Sequence, residues 1–314
     1  MPQKDPSPLV VLLGPTGTGK SESAVHLAEA LGGEVVNGDS RQIYRGLDRG
    51  TAKPSSKLRS RAPHHLYDIV EPGETFSAGE FLRRADRAIR QIRARGRLPV
   101  IVGGTGLYVR ALLEGLFEAG RSDPVVKERL RKLLKRKGRP HLRRMLERVD
   151  PATAESLSPR DTQRTVRALE VCFATGRPFS RHVAEHRPAA RYASVKIGLT
   201  MPRPVLYRRL DRRVEEMFAR GWLEEVRGLL ARGHDPSCKA FEALGYREIS
   251  RLLREGGDLH AVVADIKKKH RRYAKRQETW FRRERDTAWF DASRDGALAA
   301  IETHARKALG AAEA

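Results

Sequence analysis

The sequence predicts an α/β fold, a parallel sheet flanked by helices, on three observations. Five apolar residues, Leu9 to Leu13, run into Gly14-Pro15-Thr16-Gly17-Thr18-Gly19-Lys20-Ser21. Further short strand-like runs, 34–37, 99–102 and 192–200, alternate with segments whose apolar residues recur at helical spacing. Two of those runs end in glycine followed by small polar residues, at the edge of a parallel sheet where ligands bind.

The first element is a buried strand that opens a phosphate-binding loop. Gly14 to Ser21 fits G-x-x-x-x-G-K-[ST], so the sheet is P-loop NTPase-like. Gly14, Gly17 and Gly19 let successive backbone N–H groups converge on an anion, with Pro15, Thr16 and Thr18 between them. The helix that follows adds its positive dipole end. Lys20 supplies a point charge, and the Ser21 hydroxyl can hold Mg²⁺. That helix, Glu22 to Leu31, stops at Gly32-Gly33.

The strand 34–37 leads into Gly38-Asp39-Ser40-Arg41-Gln42-Ile43-Tyr44. A carboxylate, a hydroxyl and an amide placed there fit a ligand site; Asp39 or Ser40 fits equally as a helix N-cap. Gly46 to Lys57 reads as a polar loop. His64-His65 lacks a third ligand at useful spacing and reads as structural. Ser77 and Glu80 form a capping box for a helix to Arg95, with Phe81, Ala85, Ala88 and Ile92 on one stripe. The strand Pro99 to Val102 ends in Gly103-Gly104-Thr105. Phosphate-loop NTPases often carry an acidic residue for Mg²⁺ at such a strand end. Here a hydroxyl stands at the edge of the phosphate site, unless Thr105 only caps the next helix.

The character changes at Gly120. Two amphipathic helices, 124–137 and 140–149, carry Leu130, Leu133, Leu134, Leu142 and Met145 inside and a crowd of Lys and Arg outside. The predicted organisation is a first part of the core, 1–119, a helical insertion, 120–161, and the rest of the core with basic C-terminal helices, 162–314. In that last part Thr162 opens a helix that puts Arg164 and Arg167 on one face. Arg209 and Arg213, four apart on another helix, can address one anion. The helix from Ile266 to Arg285 is long and basic. Its Tyr273, Gln277 and Trp280 share a stripe that reads as core, and its basic face predicts contact with backbone phosphates. The tail after Ala308 is expected to fray.

Composition narrows the function. The chain of 314 residues has a formal net charge of +23, which a polyanionic partner explains. Its two cysteines, Cys172 and Cys238, argue against a disulfide scaffold or a zinc site. No apolar run suits a signal peptide or a membrane span, so a cytoplasmic protein is expected. Two classes fit: an enzyme moving a group from a phosphorylated small molecule to a nucleic acid, or a small-metabolite kinase with an incidental basic surface. The missing acid after Val102 weakens the second.

The ordered motifs also resemble a family. Gly14–Ser21, Asp39–Tyr44, Gly50-Thr51-Ala52-Lys53-Pro54, His64–Leu66 and Gly103–Tyr108 are similar to the run found in tRNA dimethylallyltransferases. Asp161–Val171, Leu244–Glu248 and Arg272–Phe281 continue it, over roughly residues 9–290. The resemblance implies transfer of the dimethylallyl group of dimethylallyl diphosphate to N6 of an adenine 3′ of the tRNA anticodon. It implies that the phosphate loop holds the diphosphate, with Mg²⁺ at Ser21. It gives Asp39 the role of general base, sets Thr105 at the bridging oxygen and places Arg213 against the diphosphate. It assigns RNA contact to Asp39, Ser40, Arg41, Gln42, Thr105 and Lys127, to Gln163, Arg164, Thr165, Val166 and Arg167, and to Glu242, Ala243, Leu244, Gly245, Tyr246 and Arg247. Lys127 stands where the family usually has Arg, and Glu242 where Gln is expected. No Cys/His finger follows the core, and a monomer is expected.

Overall fold

The computed structural model describes residues 5–116, 123–186 and 190–313. The expected start of the insertion at Gly120, the residues before Asp5 and the last residue lie outside them. Two compact units result. One holds residues 1–114 and 190–314; the other holds 115–189.

The first unit is built on a six-stranded sheet. In chain order its elements are β1 (Asp5–Leu13), α1 (Lys20–Ala30), β2 (Gly33–Asn37), α2 (Ser56–Arg59), β3 (His64–His65), α3 (Ala78–Ala94), β4 (Leu98–Val102) and α4 (Gly106–Glu114). The second unit supplies α5 (Pro124–Val149), α6 (Pro151–Ser156), α7 (Thr162–Thr175) and α8 (Phe179–Glu185). The chain then returns with β5 (Tyr192–Thr200), α9 (Arg203–Ala219), α10 (Trp222–Ala231), a 3₁₀ turn (Lys239–Glu242), α11 (Tyr246–Glu255), α12 (Leu259–Phe281), β6 (Thr287–Asp291) and α13 (Ala297–Glu313).

The strand order is β3-β2-β4-β1-β5-β6, and every pairing is parallel. Strand alternation divides β1 between two cores. Leu9, Val11 and Leu13 face a layer that includes Phe81 and Ile89 of α3, Leu112 of α4 and Trp222 of α10. Val10 and Leu12 face Val25 and Leu27 of α1 and Ile301 of α13. A strand covered on both faces needs the unbroken apolar run that the sequence shows. Because β2, β4 and β1 are neighbours, the loops after them share one carboxyl edge.

The second unit packs α5 on α7 around Leu130, Leu142, Leu146, Ala168 and Leu169. Gly138, at φ 75°, breaks α5 internally, which agrees with two predicted helices. Buried Asp150 knits the unit together. It accepts hydrogen bonds from Thr153 N at 3.1 Å, Thr153 Oγ1 at 2.6 Å and Ser180 N at 2.8 Å.

Three features go beyond what was expected. The compact helical unit spans 115–189 and takes in Ala168 and Leu169 of α7, beyond the 120–161 of the expected insertion. β6 had no clear sequence signal: its five residues, Thr287–Asp291, lie at the sheet edge with none fully buried. The C-terminal helix continues to Glu313, past the fraying expected after Ala308, since Ile301 and Ala305 anchor it under the sheet.

Candidate active site

The phosphate loop closes on itself before any ligand is considered. Thr18 Oγ1 donates to Pro15 O at 2.9 Å, and Lys20 Nζ donates to the same carbonyl at 2.7 Å. Gly14 has φ 137°, and a Cβ there would stand 2.3 Å from Leu199 O, so only glycine fits between β1 and β5. Gly19, at φ 90°, turns the chain into α1.

The loop after β2 is a hydrogen-bonded turn and not a helix start. Asp39 Oδ1 accepts from Arg41 N at 2.8 Å, and Asp39 N donates to Asn37 Oδ1 at 2.9 Å. The next helix begins only at Ser56, so the N-cap reading of Asp39 and Ser40 falls. The loop after β4 docks on this turn. Ser40 N donates to Thr105 Oγ1 at 3.1 Å, and Thr105 Oγ1 donates to Ser40 Oγ at 3.2 Å. Gly103 lies against the Gly38 backbone, where a Cβ on Gly103 would stand 2.4 Å from Gly38 O.

These loops open on one cleft of about 1680 Å³. Thr16, Gly17, Gly19, Lys20, Ser21, Asp39, Gln42 and Gly104 line it from the sheet edge. Helix α9 lines it with Arg208, Arg209, Arg212 and Arg213, and Arg220 follows the helix. Arg213 Nη1 donates to Thr16 Oγ1 at 3.1 Å. Gln277 of α12 also reaches the cleft.

Burial, and then the neighbouring positive charge, shifts the cations in and near the cleft. The Lys20 pKa falls to about 7, through desolvation first and Arg213 second, with Asp39 pulling the other way. Burial, then Arg209, lowers the Arg213 pKa below the usual guanidinium value. Burial, then Arg213, brings His270 on α12 down to about 4. A cleft that resists its own cations is suited to an anionic ligand, which restores them.

The remaining expected residues divide by burial. In the stretch 242–247, Glu242 and Arg247 are exposed, while Ala243, Gly245 and Tyr246 are buried. Tyr246 donates its hydroxyl to Glu225 Oε1 at 2.6 Å and so serves the core. Glu242 is engaged by Arg41 at 3.2 Å. Trp222 explains two motif glycines: a Cβ on Gly50 would lie 2.1 Å from its Nε1, and one on Gly245 would lie 2.3 Å from its Cη2. In the helical unit Gln163 and Arg164 are exposed. Lys127, Val166 and Arg167 are partly exposed, and Thr165 is buried, donating to Asp161 O at 2.7 Å.

Two expectations about α12 change. Part of its basic face is already paired: Lys267 with Glu215, Lys269 with Glu248 and Asp265, and Arg271 with Asp211. Gln277, placed by periodicity in the core stripe, does more than fill it, because both ends of its amide bond to backbone groups of the cleft. His65 binds Glu34 at 2.7 Å, the structural role expected of the histidine pair. Among the described residues no three His, Cys, Asp or Glu side chains cluster as a metal site, and no helix is long and apolar enough to cross a membrane.

Comparison with known proteins gives a consistent answer. Residues 42–284 match the model of the IPP transferase family, and residues 8–74 match that of isopentenyl transferases. The chain is 47% identical to the tRNA dimethylallyltransferase of Geobacter sulfurreducens, over 90% of this chain and 91% of that one. It is 50% identical to that of Symbiobacterium thermophilum, over 90% and 89%. Among solved structures it superposes on the tRNA isopentenylpyrophosphate transferase of Bacillus halodurans with TM-score 0.73 and 38% identity, covering 98% of both chains. A eukaryotic dimethylallyltransferase acting on tRNA superposes with TM-score 0.82 at 27% identity, over 96% of this chain and 77% of that one. A phosphate loop, an Asp39–Thr105 edge and an arginine-lined cleft are thus set in a chain that belongs to the IPP transferase family.

Proposed function

We propose that this protein transfers the dimethylallyl group from dimethylallyl diphosphate to N6 of the adenine 3′ of the anticodon in tRNA. The observation that supports this reading is the cleft shared by the phosphate loop and Asp39, with Thr105 bonded to Ser40 beside Asp39. No feature of the cleft favours the alternative of a small-metabolite kinase. The loop motif does not separate a nucleotide from a diphosphate, because both present the same oxygens.

In this reading the allylic C–O bond breaks and the diphosphate leaves with the electron pair. The loop amides, Lys20 and Arg213 stabilise the charge that gathers on it. N6 bonds to the allylic carbon, and its proton passes to Asp39 as general base. Thr105 faces the bridging oxygen. Its hydroxyl proton is held by Ser40 at 3.2 Å, so the hydroxyl rotates to donate there.

A divalent ion fits this donor set. Ser21 lines the cleft and would offer the ion its hydroxyl. That suits Mg²⁺, which keeps several waters and takes phosphate oxygens from its substrate. Bound there, the ion would neutralise diphosphate charge.

The target base leaves its stack to reach such a cleft. Arg41, Gln42, Glu242 and Arg247 then meet the anticodon loop from the core. Lys127, Gln163, Arg164 and Arg167 meet the RNA from the helical unit, with Thr165 and Val166 supporting that helix from beneath. A monomeric, cytoplasmic enzyme completes this reading.

The test is a transfer assay with labelled dimethylallyl diphosphate, Mg²⁺ and an anticodon stem-loop. Wild type should label the RNA. Asp39→Asn should lose about 10²–10⁴-fold of that rate, the usual worth of one positioned base. Absence of transfer by wild type, together with phosphate release from ATP, would replace this reading with the kinase.

A further inference from the structure

Gln277 is 5% exposed, near the C-terminal end of a helix whose outer face is crowded with cations. Buried polar side chains are retained where both ends find partners. Here both partners are backbone groups of the cleft. Gln277 Oε1 accepts from Thr16 N at 2.8 Å, and Gln277 Nε2 donates to Gly104 O at 2.7 Å. One side chain therefore ties the phosphate loop after β1 to the glycine loop after β4. Gly104 is shaped to receive it: a Cβ there would stand 2.5 Å from Gln277 Nε2.

The tie continues in both directions. From Thr16 it passes to Arg213, whose Nη1 donates to Thr16 Oγ1 at 3.1 Å. From Gly104 it passes through the adjacent Thr105 to Ser40, next to Asp39. We infer that Gln277 is a positioning residue that fixes the distance between the anion cradle and the Asp39–Thr105 edge. This rests on the functional reading above, but the anion half of it does not need prenyl transfer. The chemistry also explains why the residue is an amide. Only a side chain with one acceptor and one donor end can satisfy an N–H and a C=O together. A carboxylate of the same length would keep the bond from Thr16 but set two oxygens against each other at Gly104. A protonated carboxyl would restore both.

That difference provides the test, with Gln277→Glu, Gln277→Leu and wild type. Calorimetry measures binding of inorganic diphosphate at pH 6 and pH 8, and the transfer assay gives kcat and KM separately. Each value is taken as a ratio to wild type at the same pH, which removes the contribution of the charged groups around Gln277, namely Asp39, Lys20 and Arg213 in the cleft and His270 on α12. Circular dichroism and thermal melting confirm that each variant is folded. Gln277→Glu should bind diphosphate at least about tenfold more weakly than wild type at pH 8 and regain most of that loss at pH 6. Gln277→Leu should be weak at both. In transfer, kcat should fall further than KM rises, since the displaced groups meet at the reacting centre. If Gln277→Glu binds diphosphate like wild type at pH 8, or is weakened equally at both pH values, Gln277 does not position the cradle. If wild type binds diphosphate but transfers nothing, the prenyl-transfer reading fails, while the pH response of Gln277→Glu still decides the role of Gln277.

Discussion

Arg213 donates from Nη1 to the hydroxyl of Thr16 at 3.1 Å, so helix α9 is fastened to the phosphate loop through a residue that also faces the cleft. Burial and Arg209 already hold the guanidinium below its ordinary pKa. A leaving diphosphate is the partner that offsets this arrangement. Arg213→Gln should therefore lower kcat for transfer by about 10²–10³-fold, the usual loss for one preorganised donor. Arg213→Lys should recover only part of it, since an ammonium lacks the planar fork. Single-turnover transfer rates check both.

The lowered pKa of Lys20 predicts that anion binding is coupled to proton uptake. That pKa is about 7 in the ligand-free cleft, against an ordinary value of 10.5. At pH 8 the ligand-free side chain is mostly neutral, and a bound diphosphate favours the charged form. Diphosphate binding at pH 8 should take up close to one proton, and Lys20→Met should abolish the uptake. Calorimetry in buffers of different ionisation enthalpy reads it directly.

The same shift has a consequence for stability. The unfolded chain binds the Lys20 proton more tightly than the folded one between the folded and unfolded pKa values. The Lys20 contribution therefore improves as pH rises from about 7 to 10.5. Below pH 7 its penalty is fully present. Lys20→Met should thus raise the Tm of the ligand-free protein at pH 6, and the gain should shrink towards pH 10.

Trp222 demands glycine at two distant points. Gly50→Ala places a Cβ 2.1 Å from its Nε1, and Gly245→Ala places one 2.3 Å from its Cη2 at a backbone φ of 91°. Each should destabilise the protein by about 1–3 kcal/mol, as overpacking does. Adding Trp222→Phe should recover part of the loss at Gly50, because it removes the atom that clashes. Urea denaturation of the single and double variants measures the coupling.

Arg164, exposed at the start of α7, and partly exposed Lys127 should act on RNA alone. Changing both to alanine should weaken stem-loop binding and flatten its salt dependence by roughly 0.7–0.9 for each phosphate that is no longer neutralised. Affinity for inorganic diphosphate should stay the same. Filter binding across a salt series, beside calorimetry with diphosphate, separates the two effects.

The sequence by itself determined the elements whose signals are local. The apolar run before Gly14 pointed to a buried strand, which is covered on both faces, and the glycines with Lys20 and Ser21 pointed to an anion-binding loop. The capping box at Ser77 and the α3 stripe were equally plain, since periodicity and caps are written within a few residues. Tertiary structure decided what depends on pairing across the chain. Lys267, Lys269 and Arg271 look like an open basic face until Glu215, Glu248 and Asp211 arrive from α9 and α11 to neutralise them. Tyr246 looks like a contact residue until its hydroxyl meets Glu225. Gln277 looks like one more residue of a core stripe, and 261 residues separate it from the Thr16 amide it holds. A hydrogen bond of that span leaves no mark in local spacing, because the fold alone brings donor and acceptor within reach.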